Sequence, residues 1–398
     1  MEKQGEQLEV YIHVPFCVKK CEYCDFLSFP ASEELRRQYV AKLCEEVRAA
    51  ENHGECVGTV FFGGGTPSLF TPKQIQSILD SVRAVWRLAE DVEISMEMNP
   101  GTLGYGEAER ERLAGYREAG INRLSIGLQS ANNEELQLLG RIHTWEQFLE
   151  SYRCARELGF ANINVDLMSA LPKQSRETWE HSLRKTAELA PEHISAYSLI
   201  IEEGTPFYEK YHGAGEGELP DEDTEREMYA RTEEILQEYG YERYEISNYA
   251  KEGKVCRHNV GYWTGVPYLG FGLGAASYYQ GQRFSNTRDL REYLAADFSD
   301  KKHSIRREVQ TLSTEEKMEE FLFLGLRLMQ GVRAAEFRER FGWDLEDIYG
   351  KQLRQFEKWG LLEGTKEGAY RFTREGISVS NSVLCEFLDP QIPDKKDG

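Results

Sequence analysis

From residue 8 to about residue 240 the chain alternates short β-branched runs with longer amphipathic stretches, and it does so six times. The runs cover residues 9–14, 57–62, 92–96, 123–128, 162–167 and 193–199. Helical periodicity follows over 32–50, 72–88, 106–119, 144–158, 175–189 and 222–239. Strand-then-helix repetition builds a parallel sheet with helices packed on its outside. Six units fall short of the eight that close a full barrel. The expected fold class is therefore α/β, a partial (β/α)6 barrel spanning residues 1–240. In such barrels, chemistry is carried at the C-terminal ends of the strands and in the loops after them.

Those ends carry polar clusters here. Cys17, Cys21 and Cys24 follow the first run and Gly63-Gly-Gly-Thr-Pro67 the second, while Glu97 ends the third, Gln129 the fourth and Asp166 the fifth. Three cysteines in one tight loop supply three thiolates. A cubane iron-sulfur cluster normally takes four, so three would leave one iron with an open position. Zinc is the alternative, with His13 as a fourth ligand, but zinc sites favour two spaced pairs of ligands. The other cysteines, Cys44, Cys56, Cys154, Cys256 and Cys385, show no framework spacing, which speaks for a reduced, cytoplasmic protein.

Past residue 240 the alternation stops. Residues 241–300 read as an extension of the barrel, rich in glycine and aromatics, in which Gly270-Phe-Gly-Leu-Gly274 lacks a strand-to-helix context and reads as a close-packed turn. A helix is expected near 288–296. A C-terminal, mainly α, winged-helix-like domain follows over 301–388. It opens on the capping-box sequence Ser313-Thr-Glu-Glu316 with a helix through Met329, closed by Gly331. Helices over 333–340 and 345–359 and a hairpin over 361–372 come next, then a disordered tail over 389–398. No basic recognition face accompanies this pattern, so an interaction or lid module is expected. Lys and Arg total 48 against 68 Asp and Glu, a net charge of −20 that opposes binding to nucleic acid or anionic membranes. The first residues are polar, and no run approaches the roughly 18 apolar residues of a spanning helix.

The spacing Cys-x3-Cys-x2-Cys after Tyr11-Ile-His-Val-Pro-Phe16 resembles the radical S-adenosylmethionine (radical SAM) superfamily. The resemblance implies a 4Fe-4S cluster on Cys17, Cys21 and Cys24, whose open iron chelates SAM, and an electron donor that reduces the cluster. Leu171-Pro-Lys-Gln174 is similar to the branch of the oxygen-independent coproporphyrinogen III oxidase. Residues matching that branch's SAM contacts are Tyr11, Tyr23, Gly64, Gly65, Thr66, Glu97, Gln129, Arg141 and Asp166. From the residues themselves, Gly63 to Gly65 admit close backbone approach to a ligand, and Arg141 suits a carboxylate.

One departure stands out. Where the oxidase carries a further cysteine, two positions after the third ligand, this chain has Phe26, which neither ligates metal nor relays a proton. That argues against decarboxylation of coproporphyrinogen to protoporphyrinogen IX. His258-Asn-Val-Gly-Tyr-Trp263 resembles instead the His-Asn-x-x-Tyr-Trp motif of a heme chaperone subfamily. The resemblance implies heme held through His258, Asn259, Tyr262 and Trp263, delivery to client hemoproteins, including membrane respiratory enzymes, and a homodimer. Imidazole ligates heme iron and aromatic rings cover the macrocycle; Cys256 is an alternative axial ligand, and a lone histidine beside asparagine also commonly satisfies local hydrogen bonds. A radical SAM enzyme acting on heme itself is a further alternative.

Overall fold

The computed structural model describes residues 7–104, 106–300 and 304–390, without the side chains of residues 214 and 216. Six strands form the predicted parallel sheet in sequence order: β1 (Gln7–Val14), β2 (Cys56–Gly64), β3 (Arg87–Met98), β4 (Arg123–Gln129), β5 (Ile163–Ser169) and β6 (His193–Ser198). Around them lie α1 (Glu33–Arg48), α2 (Pro72–Val85), α3 (Glu107–Ala119), α4 (Asn133–Leu138), α5 (Trp145–Glu157), α6 (Arg176–Glu188), α7 (Pro206–Tyr211) and α8 (Glu222–Glu238). Local chemistry sets several helix starts. Thr71 and Thr144 each form a capping box, with Gln74 and Gln147, and Pro72 stands at the first helical position of α2, where its missing N–H costs nothing.

The two faces of β1 show how the sheet is solved. Leu8, Val10, Ile12 and Val14 are fully buried in the main apolar core, while the alternate residues Glu9, Tyr11 and His13 make their contacts with polar and aromatic side chains inside the barrel. A strand with period-two alternation can thus be buried on both faces, one oily and one polar.

The extension differs from expectation. Residues 241–285 hold short strands β7 (Glu242–Arg243), β8 (Asn248–Ala250), β9 (Tyr268–Phe271) and β10 (Ala276–Tyr279), followed by β11 (Gln282–Asn286), with helix α9 (Arg257–Thr264) between β8 and β9. Strand β9 adds to the open side of β1 in parallel, with Tyr11 opposite Gly270, and β10 and β11 continue the sheet antiparallel. Glycine hides this strand because close packing requires it: a Cβ on Gly270 would lie 2.1 Å from the Ala276 carbonyl oxygen, and Gly272, at φ +103°, donates its N–H to buried Glu46 at 2.9 Å. Helix α10 (Leu290–Ala295) and strand β12 (Arg306–Thr311) complete this part.

The chain forms two compact units. The first holds the chain through Glu242 with Tyr249–His258 and Pro267–Val309; the second holds Arg243–Asn248, Asn259–Val266 and the chain from Gln310 onward. In the second, α11 (Thr314–Gly325) begins at the expected capping box, Ser313 Oγ accepting from the Glu316 N–H and Glu316 from that of Ser313. It stops at Gly325 rather than continuing through Met329. Gly325 packs against Val332 so closely that a Cβ would stand 2.4 Å from Cγ1, and the chain turns there into β13 (Val332–Arg333). Next come α12 (Ala334–Phe341) and α13 (Leu345–Lys358), and the hairpin β14 (Leu362–Gly364) and β15 (Ala369–Phe372) joins β13 in a three-stranded sheet. Two short helices, α14 (Arg374–Ser378) and α15 (Ser380–Cys385), end it. Phe337 centres its core, with Phe321, Phe341 and Tyr349 around it. From residue 391 the expected tail lies outside the described residues.

Candidate cluster and cofactor site

The loop after β1 carries the three cysteines, all free thiols, with Cys17 buried and Cys21 and Cys24 half-buried. Backbone bonds pin it: Cys17 N–H to the Phe29 carbonyl at 3.1 Å, Phe29 N–H to that of Pro15 at 3.0 Å, and Glu22 N–H to that of Leu139 at 3.2 Å. Phe16 anchors its root in an aromatic cluster with Phe29, Tyr39 and Phe70. The loop rests directly on the glycine run. A Cβ on Gly65 would meet the Phe16 carbonyl oxygen at 2.6 Å and Cys17 Sγ at 3.0 Å, and Gly64, at φ +110°, has the His13 imidazole 2.5 Å from where a Cβ would be.

His13 is not free to join the cysteines: its Nδ1 bonds the Tyr11 hydroxyl at 3.1 Å and its Nε2 the Leu27 carbonyl at 3.0 Å. Among the described residues no group of three or more His, Cys, Asp or Glu side chains is placed to hold a metal ion. A cluster instead spreads its thiolates over separate irons. Burial, with Cys17 and Cys21 nearby, pushes the Cys24 thiol up.

The strand ends surround this loop. Thr66 Oγ1 donates to Cys17 Sγ at 3.4 Å. Arg141, after β4, donates through Nη1 to Cys21 Sγ at 3.7 Å and through Nη2 to Asn99 Oδ1 at 2.7 Å and the Gly127 carbonyl at 2.6 Å, while its buried Nε has no partner. Glu97 accepts from the Gly64 N–H at 3.1 Å; burial and then the Asp166 carboxylate push its carboxyl up to about 8. Asp166 is likewise raised, by burial, although Asn164 and Ser125 donate to it at 2.7 and 3.1 Å. Gln129 sits at φ +75°, at an irregularity in the β4–β5 pairing, and its Oε1 accepts from Tyr197 at 3.0 Å. A non-glycine residue there is strained, and such strain concentrates at functional sites. Tyr23 packs on Phe207 beside the cysteines. An unpartnered guanidinium nitrogen and two buried carboxyls, both raised by burial, fit a zwitterionic ligand with an ammonium and a carboxylate, as SAM is. Asn99 and Tyr197 were not among the expected site residues; the position of Asn99 two residues past Glu97 was the available signal.

The histidine motif lies elsewhere. His258 is 1% exposed. Its Nδ1 is 2.6 Å from Thr59 Oγ1 and 3.7 Å from Glu9, and its ring stacks on Phe61 at 5.1 Å. Glu93 accepts from the backbone N–H groups of Arg257 and His258 and from Cys256 Sγ. Glu9, Thr59 and Glu93 pair side by side across β1, β2 and β3, whereas the cysteine loop lies past the far end of β1. Asn259, Tyr262 and Trp263 lie further along α9, in the second unit, where Arg327 covers the Trp263 ring at 5.1 Å.

The radical SAM superfamily model matches residues 11–186, and the HemN C-terminal domain model residues 312–379. The heme chaperone HemW of Bacillus subtilis (strain 168) is 35% identical over 95% of this chain and 98% of its own length; that of Escherichia coli (strain K12) is 36% identical over 96% and 98%. The chain belongs to the HemW family of radical SAM proteins. A mitochondrial relative from Bos taurus, radical S-adenosyl methionine domain-containing protein 1, is 35% identical over 96% of this chain and 88% of its own. Among solved structures, coproporphyrinogen III oxidase (HemN) from Escherichia coli superposes with a TM-score of 0.83 over 97% of this chain and 91% of that one, at 23% identity. That likeness speaks to the fold, a radical SAM barrel with a helical C-terminal domain. Among the described residues no helix is long and apolar enough to cross a membrane.

Proposed function

We propose that this protein is a heme chaperone on a radical SAM scaffold: it holds a 4Fe-4S cluster on Cys17, Cys21 and Cys24, binds SAM beside it, and passes heme to client hemoproteins. The observation that carries this reading is the full-length similarity, 35–36% over 95–96% of the chain, to proteins named heme chaperones. Phe26 supports it: the side chain is 64% exposed beside the cysteines, at the position where the oxidase branch has a further cysteine.

When bound, the cluster supplies an open iron position and an electron. The chain's own groups do the binding. Arg141 Nε and the backbone around Gly64 and Gly65 receive the carboxylate and amino ends of SAM, Glu97 and Asp166 accept from its ammonium and ribose hydroxyls, and Tyr11 and Tyr23 wall the site. His258 is the proposed heme ligand. Its ring must first come out of the barrel, because His258 is 1% exposed where it packs against Thr59 and Phe61, and an iron can reach its Nε2 only once that packing opens.

The test is an anaerobic heme titration of cluster-reconstituted protein, followed by the Soret band, with His258→Ala in parallel. Stoichiometric binding lost in the variant supports the reading. Absence of binding, together with anaerobic turnover of coproporphyrinogen and release of 5'-deoxyadenosine, overturns it in favour of the oxidase.

A further inference from the structure

Two of the three cysteine sulfurs are tied to the barrel by donors from outside the cysteine loop. Thr66, after β2, reaches Cys17 at 3.4 Å, and Arg141, after β4, reaches Cys21 at 3.7 Å. Between these donors stands Asn99, in the loop after β3. Its Nδ2 donates to Thr66 Oγ1 at 3.0 Å, and its Oδ1 accepts from Arg141 Nη2 at 2.7 Å. One side-chain amide thus joins the two donors into a continuous run of hydrogen bonds, Cys17 to Thr66 to Asn99 to Arg141 to Cys21.

The polarity of that run follows from what each group can do. A hydroxyl has one proton, so when the Asn99 amide donates to Thr66 Oγ1, the Thr66 proton is left for the sulfur. The amide oxygen takes one face of the guanidinium and leaves Nη1 aimed at Cys21. A carboxamide does both at once; a carboxylate or an alkyl group does not. The backbone of Asn99 is itself fixed, its main-chain carbonyl accepting from Thr102 Oγ1 at 2.6 Å, and Thr102 pairs with Ser68 at 2.8 Å. A cavity of about 20 Å³ bordered by Cys21, Thr66, Asn99 and Arg141 lies alongside, room for about one water.

We propose that Asn99 is a positioning residue that sets the electron affinity of the cluster by aiming the two sulfur hydrogen bonds, while touching neither sulfur. This rests on the reading that the three cysteines hold a 4Fe-4S cluster. Hydrogen bonds to cysteine sulfurs draw charge off the iron and stabilise the reduced form, and they are a main lever on cluster potentials. Asn99→Ala frees the Thr66 hydroxyl to rotate and removes one anchor of Arg141. Asn99→Asp still accepts from Arg141, but it also accepts from Thr66, whose proton then leaves Cys17, and it adds negative charge.

The test poises the reconstituted wild type and both variants at a series of potentials, follows the reduced cluster by EPR, and measures iron content. Asn99 is half-buried, and water can fill the space left by Asn99→Ala, so near-normal iron loading is expected. Asn99→Ala should lower the equilibrium constant for reduction at least about tenfold, a midpoint about 59 mV more negative for one electron, and Asn99→Asp should lower it further. Unchanged midpoints at full iron content overturn the proposal. A shift in Asn99→Asp alone also overturns it, because charge without the hydrogen bonds would then suffice. If Asn99→Ala loses iron, Asn99→Ser decides by the same criterion, since it adds no charge and is too short to hold Thr66 and Arg141 together: a more negative midpoint supports the proposal and an unchanged one overturns it. Failure of the wild type to take up iron defeats the cluster reading itself and is told apart by the iron assay.

Discussion

At the mouth of the barrel, polar groups around the cysteine loop are held short of partners; deeper inside, the His258 imidazole is held by close partners, although Glu9 beside it keeps one buried oxygen without a hydrogen bond. Arg141 keeps a free Nε, burial raises the carboxyls of Glu97 and Asp166, with Asp166 adding to the rise at Glu97, and Gln129 is kept in a strained backbone conformation. His258, by contrast, is bonded to Thr59 and stacked on Phe61, and Glu93 closes over the backbone at Arg257 and His258. The first arrangement is ready for a ligand. The second must be opened before its histidine can serve one.

Four perturbations bear on that difference. The largest effect is expected at the mouth: Cys17→Ser, Cys21→Ser and Cys24→Ser should each abolish the visible absorbance of the reconstituted cluster, while His258→Ala leaves it intact. Equal iron loading in all four variants would erase the distinction. Gly64→Ala comes next. It places a Cβ against His13 at positive φ and should cost about 2 kcal/mol or more, read as a lower urea midpoint with reduced iron uptake.

Buried carboxyls give a pH signature. Burial and the neighbouring Glu93 push Glu9 up to about 9, and Glu97 rises to about 8. Each keeps its proton in the folded chain after the unfolded chain has released it, so stability of the cluster-free protein falls as pH climbs from about 5 to 9. Glu9→Gln should flatten that fall and add about 2–4 kcal/mol at pH 8; an unchanged pH profile would show that Glu9 is solvated. The smallest effect concerns the latch on His258. Thr59→Val removes one hydrogen bond worth about 1 kcal/mol, so heme uptake in stopped flow should quicken about fivefold if release of His258 limits it. An unaltered rate would mean that the imidazole is not held closed by Thr59.

Much of the scaffold was legible because its periods are clean. The alternation Glu9-Val-Tyr-Ile-His-Val14 announces a strand with one polar and one apolar face, and the polar residues that end each run foretold the mouth of the barrel. Strand β9 was not legible, because Gly270 and Gly272 are chosen for close approach and carry no side-chain pattern. Nor was the end of α11 at Gly325, which is set by Val332, a contact that helical periodicity ignores. At the site, residue type announced the cysteines and Arg141, but not the hydrogen bonds that make Asn99 and Tyr197 part of it. The motif at His258 declared an imidazole and not its burial, which depends on Thr59 and Glu9, far away in the chain.

The pairing of Glu9 with Tyr268 and of Tyr11 with Gly270 also orders events in time. Strand β1 precedes β9 in the chain by most of the first unit, so one of its two neighbours emerges from the ribosome long after it. Long-range pairing of this kind is slow to form. The nascent chain therefore carries its three thiols in an unfinished cradle through most of its synthesis, exposed to oxidation and to stray metal. The cysteine loop is made well before the strand that completes its seat, so the three thiols reach their final setting only when β9 has joined β1.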